Sequence, residues 1–330
     1  MSFEYLLSKI AQADFETVPF RHIYIRDFFE KQDFSQIVSS PEILIPSAES
    51  DEQLFNMMFE RNYKIIDFPG CITSKDLYLK WHNEKNSHAR IYNNSSCEGF
   101  GITLRLTQPT SPVINDLSGF LRSDAFQTAL ADKFGIKRDE VFYDGGIQKY
   151  LDGYEISPHP DIRAKALTYM ININPGQNSE TREHHTNYLK FRDEFKYVQA
   201  YWDGHPNQDR CWVPWDWCDV TKVQTENNSL VIFSPDNTTL HAVRARYDHL
   251  LSQRTQLYGN LWYNWFGKRK YDPTPKWEDF RIQVAEPEPE QVSVISRVKA
   301  AVPPGLKSLL NGGRPKADHD GNVIKDRLKS

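Results

Sequence analysis

Apolar positions along this chain follow two periods, and the change between them falls near residue 140. In residues 27–37 they recur near i, i+1 and i+4 with charged residues between, and residues 125–133 carry a second helical pattern. A short run at 101–106 reads as a strand. After residue 140 strand-like runs dominate: 166–174, closed by Pro175-Gly176; 229–233, followed by the polar turn 234–239; and 253–263. The expected organisation is therefore a helical and mixed segment over 1–140 flanking a strand-rich core over 141–265. A charged, proline-rich extension over 266–330 runs through Glu286-Pro-Glu-Pro-Glu290 and is expected to be disordered after 311. Within it Val292, Ile295, Val298, Ala301 and Val302 predict one short amphipathic stretch that packs back on the domain.

Composition narrows the function classes. A chain of 330 residues can bury a sizeable core, and no apolar run approaches the roughly 20 residues a membrane helix needs. The first ten residues have neither a basic region ahead of an apolar stretch nor an Arg/Ser-rich character, so no export or organelle signal is read there. Cys71, Cys97, Cys211 and Cys218 form no C-x-x-C pair, which argues against structural zinc and fits reduced thiols in a cytoplasmic protein. A net charge of −4 argues against a duplex nucleic-acid partner. Aromatic residues crowd between Tyr197 and Trp217, either covering one end of a β-sandwich or walling a substrate site.

The chemistry-bearing residues are His159, Asp161 and His241, the last standing 82 positions after the first. Two imidazoles and one carboxylate on one side of a metal leave the other side open, the arrangement a non-haem Fe(II) oxygenase uses for its cosubstrate and O₂. In a strand, residues i and i+2 point the same way, so an H-x-D pair at a strand edge presents both ligands to one cation. Strand, H-x-D, strand, long insert, strand, His, and then Arg254 within a further strand form an ordered set. In this order the chain resembles the Fe(II)- and 2-oxoglutarate-dependent oxygenase superfamily, particularly its prolyl-hydroxylase-like branch. The resemblance spans residues 141–263, with an echo of the opening strand and helix at 18–29. It departs from the family pattern in two places: Arg254 lies 13 residues past His241, and Arg254-Thr255-Gln256 stands where many relatives carry Arg-x-Ser. Arg244 and Arg246 are thus rivals for the basic anchor, although they precede the turn at 247–249.

The resemblance implies a mainly β architecture with flanking helices, a double-stranded β-helix (jelly roll, cupin-like) whose facing sheets bring distant strands around one interior. It implies that Thr168, Met170 and Asn172 turn inward, with Leu167, Tyr169, Ile171 and Ile173 against the helices. Tyr150 then matches an interior aromatic, and Thr168 and Asn172 become polar partners for 2-oxoglutarate. The implied cofactor is Fe(II) on His159, Asp161 and His241, with 2-oxoglutarate as cosubstrate, its distal carboxylate on Arg254, and O₂ at the open position. The implied activity is hydroxylation, desaturation or oxidative cyclisation of a small metabolite or amino-acid derivative, with succinate and CO₂ as coproducts. Halogenating relatives lack the carboxylate that Asp161 supplies. A hydroxylase of a protein or peptide side chain, or a cupin-like metal-binding protein without oxygenase activity, are the alternatives. His184 and His185 are expected on the surface, and Arg163 and Lys165 in solvent.

Overall fold

Caps and breakers set the helices that precede the core. We describe a computed structural model over residues 3–67, 71–84, 101–206 and 208–264, all within the unit Met1–Pro275; the C-terminal extension, with its apolar stretch at 292–302, lies outside the described residues. The N-terminal part contains α1 (Tyr5–Gln12), β1 (Phe15–Glu16), β2 (His22–Ile25), α2 (Lys31–Ser39), α3 (Asp51–Glu60), β3 (Tyr63–Ile65), α4 (Lys75–Asn83), β4 (Thr103–Leu106), α5 (Pro112–Leu121) and α6 (Asp124–Phe134). Ser50, Ser74 and Ser123 cap α3, α4 and α6 by accepting hydrogen bonds from the backbone N–H of Gln53, Leu77 and Phe126. Gly135 closes α6 with a left-handed φ of 67°, the conformation a helix C-terminus asks of glycine.

The strand-rich part contains β5 (Val141–Tyr150), β6 (Glu155–His159), β7 (Lys165–Asn172), β8 (Thr186–Phe191), α7 (Lys196–Gly204), β9 (Cys218–Val223), β10 (Leu230–Phe233), β11 (His241–Arg244) and β12 (Arg254–Tyr263). Two antiparallel sheets result, one ordered β1-β2-β10-β7-β12-β5-β4-β3 and the other β6-β11-β8-β9. From β5 to β8 successive strands alternate between the sheets, and β10, β11 and β12 alternate on the way back. That winding is a double-stranded β-helix. The early strands β1 to β4 extend the larger sheet at both edges.

Strand alternation separates the faces. Leu167, Tyr169, Ile171 and Ile173 join Leu257 and Leu261 in the main core, packed with Leu6, Ile37, Phe55, Leu117 and Phe126 from the helices. Met170, Val231 and Phe233 of the larger sheet meet Tyr188 of the smaller one in the interior. A third cluster covers the outside of the smaller sheet, where Leu189, Phe191 and Ala242 pack against Trp202 of α7. Of the aromatic crowding near 200, Trp202 is core, Trp215 and Trp217 pack partly buried against it, and Tyr197 and Tyr201 are exposed; burying a ring the size of Trp202 contributes roughly 2–3 kcal/mol.

Candidate metal centre

His159 is the last residue of β6 and His241 the first of β11, and the two stand opposite each other in the antiparallel register of the smaller sheet. Residues 82 apart therefore meet as neighbours within one sheet, rather than across facing sheets. Asp161 lies beyond the strand, with φ at 63°. Its convergence with His159 comes from this left-handed turn and not from strand pleat, which corrects the expectation drawn from H-x-D spacing. Arg210, buried on the loop after α7, holds that turn by donating Nε–H to the Asp161 carbonyl at 2.9 Å. Thr239 closes it from the other side through the Pro160 carbonyl at 3.2 Å.

All three side chains are buried, and their donor atoms lie within 4.8 Å of one another. Nδ1 of His159 meets the Ser157 carbonyl at 2.8 Å and Nδ1 of His241 meets the Thr239 carbonyl at 3.0 Å. A carbonyl accepts only, so both protons sit on Nδ1 and both Nε2 lone pairs face Asp161. The Nε2 to carboxylate separations are 3.6 Å from His159 and 3.8 Å from His241, too long for hydrogen bonds and fitting for ligands around one cation. Burial, reinforced by His159, lowers the His241 pKa to about 3, so the ring is a neutral ligand at ordinary pH. Burial alone would raise the Asp161 pKa; Lys165, His241 and His159 outweigh it and hold the carboxyl well below its usual range. Lys165 Nζ sits 2.7 Å from Asp161 Oδ1 and Thr168 Oγ1 sits 2.7 Å from Oδ2. Lys165 therefore orients the ligand instead of standing in solvent, and Arg163 is tied to the Gln208 and Trp202 carbonyls.

A second triad has the same composition and the opposite geometry. Asp51, His82 and His249 also converge within 4.8 Å. Here His82 Nδ1 and His249 Nε2 each lie 2.6 Å from an Asp51 oxygen, and His82 Nε2 lies 3.1 Å from Asp152. The Asp152 N–H donates to His249 Nδ1 at 3.3 Å, which leaves the His249 proton on Nε2, pointing at Asp51. These are hydrogen bonds to carboxylates linking α3 and α4 to the turn before β12, with no lone pair left for a metal at His249.

Arg254 opens β12 on the interior face. Its guanidinium is buried, lies 4.4 Å from the centre of the Tyr150 ring, and donates from Nη2 to Thr186 Oγ1 at 3.0 Å and Gln256 Oε1 at 3.3 Å. Nη1 is buried with no partner, and among the described residues no carboxylate pairs with Arg254. The rivals are placed otherwise: Arg244 makes a two-point pair with Glu155 at 2.8 Å and 2.8 Å, and Arg246 is exposed. His184 and His185 are buried, contrary to the surface expectation. Burial lowers their pKa values to about 2 and about 4, and both feel the charge of Arg254. Tyr150 is buried as expected, its hydroxyl on Gln148 Oε1 at 2.5 Å. Thr168 faces the metal ligands, whereas Asn172 is bound to the Gln224 and Glu226 carbonyls at 2.8 Å and 3.2 Å. Sequence reading missed Thr186, Gln256, Lys165 and Arg210; the first two carry the alternation signal, at inward positions of β8 and β12.

No protein-family model matches the chain, and no curated protein matches it. Among solved structures it is similar to a prolyl-4-hydroxylase of Pseudomonas putida, at 8% identity and a TM-score of 0.39 over 79% of this chain and 98% of that one. It is also similar to a prolyl hydroxylase of Trichoplax adhaerens in complex with a hypoxia-inducible-factor peptide, at 10% identity and a TM-score of 0.36 over 78% and 87%. A third is HygX of Streptomyces hygroscopicus with nickel, 2-oxoglutarate and hygromycin B bound, at 9% identity and a TM-score of 0.29 over 66% and 88%. The strand order of the two sheets defines the fold. By that order the chain is a double-stranded β-helix protein with a His-x-Asp…His triad at the end of its smaller sheet, and it is similar to structures of 2-oxoglutarate–Fe(II) oxygenases.

Proposed function

We propose that this protein is an Fe(II)- and 2-oxoglutarate-dependent dioxygenase that oxidises a small metabolite or amino-acid derivative. The observation that carries the reading is Arg254, a buried guanidinium with an unpartnered Nη1 that faces the interior from the larger sheet, while the smaller sheet carries His159 and His241. An unpaired charge is costly to bury, so its retention argues for an anionic ligand. The planar fork suits a carboxylate held at two points. The triad fits a labile divalent cation: two neutral imidazoles with Nδ1–H fixed on carbonyls, and one carboxylate.

Fe(II) on His159, Asp161 and His241 would supply the redox chemistry, O₂ activation coupled to decarboxylation of 2-oxoglutarate to succinate and CO₂. The chain's own residues do the rest. Arg254 binds the distal carboxylate, with Thr186 and Gln256 steadying its other nitrogen and the Tyr150 ring behind it. Lys165 and Thr168 hold the Asp161 carboxylate in place, and Met170, Tyr188 and Phe233 keep water from the interior. A cupin without oxygenase activity leaves Arg254 without a task.

Equilibrium binding of 2-oxoglutarate to the metal-loaded full chain tests this. Arg254→Ala should weaken it by about 2–5 kcal/mol, roughly 30-fold or more. Wild-type-like binding by Arg254→Ala, or the large effect appearing in Arg244→Ala instead, would reverse the assignment. A peptidyl substrate would use the same residues, and succinate release with free amino acids against short peptides separates the two.

A further inference from the structure

A second arginine stands on the same interior face without a full set of partners. On β4, Leu104 and Leu106 join Ile102 in the core beneath the helices, so Arg105 projects from the opposite side, in register with Gln148 of β5. Its guanidinium lies 5.1 Å from the centre of the Tyr258 ring, and its Nη1 meets Asp144 Oδ1 at 3.5 Å, a loose contact between groups about one-third exposed. Such a pair contributes little. Arg105 Nε is buried with no partner, and so is the Tyr258 hydroxyl beside it. Between them the wall is open. Gly146 faces Tyr258 across the strands, and a Cβ placed there would meet only Arg105 methylenes at 3.9 Å.

We propose that Arg105 and Asp144 clamp the headgroup of an unblocked amino-acid substrate, the carboxylate on Arg105 and the ammonium on Asp144. This rests on the oxygenase reading above. A zwitterion matches a loosely joined cation and anion: it replaces one 3.5 Å contact with charge-assisted hydrogen bonds on both sides and leaves no net charge behind. Tyr258 Oη offers the carboxylate a further donor. The position also fits the chemistry. Asp144, Asn260 and Thr168 stand opposite one another across β5, β12 and β7, and Thr168 bonds Asp161 at 2.7 Å. Two strand spacings, about 10 Å, thus separate Asp144 from Thr168, the residue that bonds Asp161. A long amino-acid side chain laid along this row from Asp144 would carry its distal carbons toward Thr168 and the Asp161 carboxylate. The two interior arginines divide the work: Arg254 takes the cosubstrate and Arg105 the substrate.

The test uses the full chain loaded with Ni(II) and 2-oxoglutarate. Binding of the L-amino acids, their α-carboxamides and their N-acetyl derivatives is read by saturation-transfer NMR. At least one free amino acid should bind, with its carboxamide and its N-acetyl form each at least tenfold weaker. Arg105→Gln should lose at least tenfold in affinity for the free amino acid. Asp144→Asn should lose affinity for the free form while binding the N-acetyl form as the unmodified protein does. Melting curves identify an Arg105→Gln protein that has not folded, and Asp144→Asn, altered only in a part-exposed side chain, then decides. If no free amino acid binds, or if blocked forms bind equally well, the headgroup clamp is wrong. If 2-oxoglutarate itself fails to bind the unmodified protein, it is the oxygenase reading that falls.

Discussion

At the scale of single residues, hydrogen-bond geometry separates a candidate metal triad from a hydrogen-bonded network of the same residue types. Where carbonyls take the Nδ1 protons of His159 and His241, the Nε2 lone pairs stand 3.6 Å and 3.8 Å from the carboxylate. Where carboxylates take the ring protons of His82 and His249, the contacts shorten to 2.6 Å. The two triads should therefore respond oppositely to alanine. His241→Ala should lower Fe(II) affinity roughly 100-fold or more, since two ligands hold a labile ion poorly. His82→Ala should leave metal content unchanged and cost about 1–3 kcal/mol of stability by removing one hydrogen-bond partner each from Asp51 and Asp152. Metal analysis after dialysis and urea unfolding of both variants check this; metal loss in His82→Ala would mean that the second triad binds an ion.

Among the elements, β5 carries both an interior and an exterior specialist. Gln148 and Tyr150 face the site, while Lys149 between them points into the helix-covered core, where its Nζ donates to the Ile43 carbonyl at 2.8 Å and Thr255 Oγ1 at 2.7 Å. Burial, with a smaller effect of Arg61, lowers its pKa to about 7. An unfolded lysine titrates near 10.4, so between the two values the unfolded chain binds a proton that the folded one does not. Stability from this residue therefore rises with pH across roughly 7 to 10, at about 1.4 kcal/mol per pH unit, and is flat below. Lys149→Met removes the titration. Subtracting the unfolding free energy of the variant from that of the wild type between pH 7 and 10 should leave a difference that grows in favour of the wild type, and a pH-independent difference would mean that Lys149 stays charged in the core.

For the molecule as a whole, folding and ligand binding are linked because the site is assembled from both sheets. Its residues come from β5, β6, β7, β8, β11 and β12 and from the turns between them. A ligand that binds only this assembly stabilises it by about 2.7 kcal/mol at a hundred times its Kd, or roughly 4–5 °C in Tm for a chain of this size. Metal and 2-oxoglutarate should each add an increment in thermal unfolding. Arg254→Ala should keep the metal increment and lose that of 2-oxoglutarate. Equal increments in both proteins would place the cosubstrate elsewhere.

Local pattern alone determined three strands of the larger sheet. Residues 166–174, 229–233 and 253–263 were legible as β7, β10 and β12, since an apolar run closed by Pro, Gly or Asn is read over a few neighbouring positions. The ligand types were legible too, because imidazole and carboxylate chemistry belongs to the residue wherever it sits. What only the tertiary structure decided was convergence. The left-handed turn at Asp161 depends on Arg210 and Thr239, far along the chain, and the pairing of His159 with His241 depends on the register of β6 with β11. The burial of His184 and His185 depends on packing beside Arg254 and Tyr247, which a polar run of sequence conceals. The choice of Arg254 over Arg244 turned on Glu155, 89 residues before Arg244, which neutralises one guanidinium and leaves the other buried without a carboxylate. Such partners are set by long-range strand pairing, and no local window of sequence contains them.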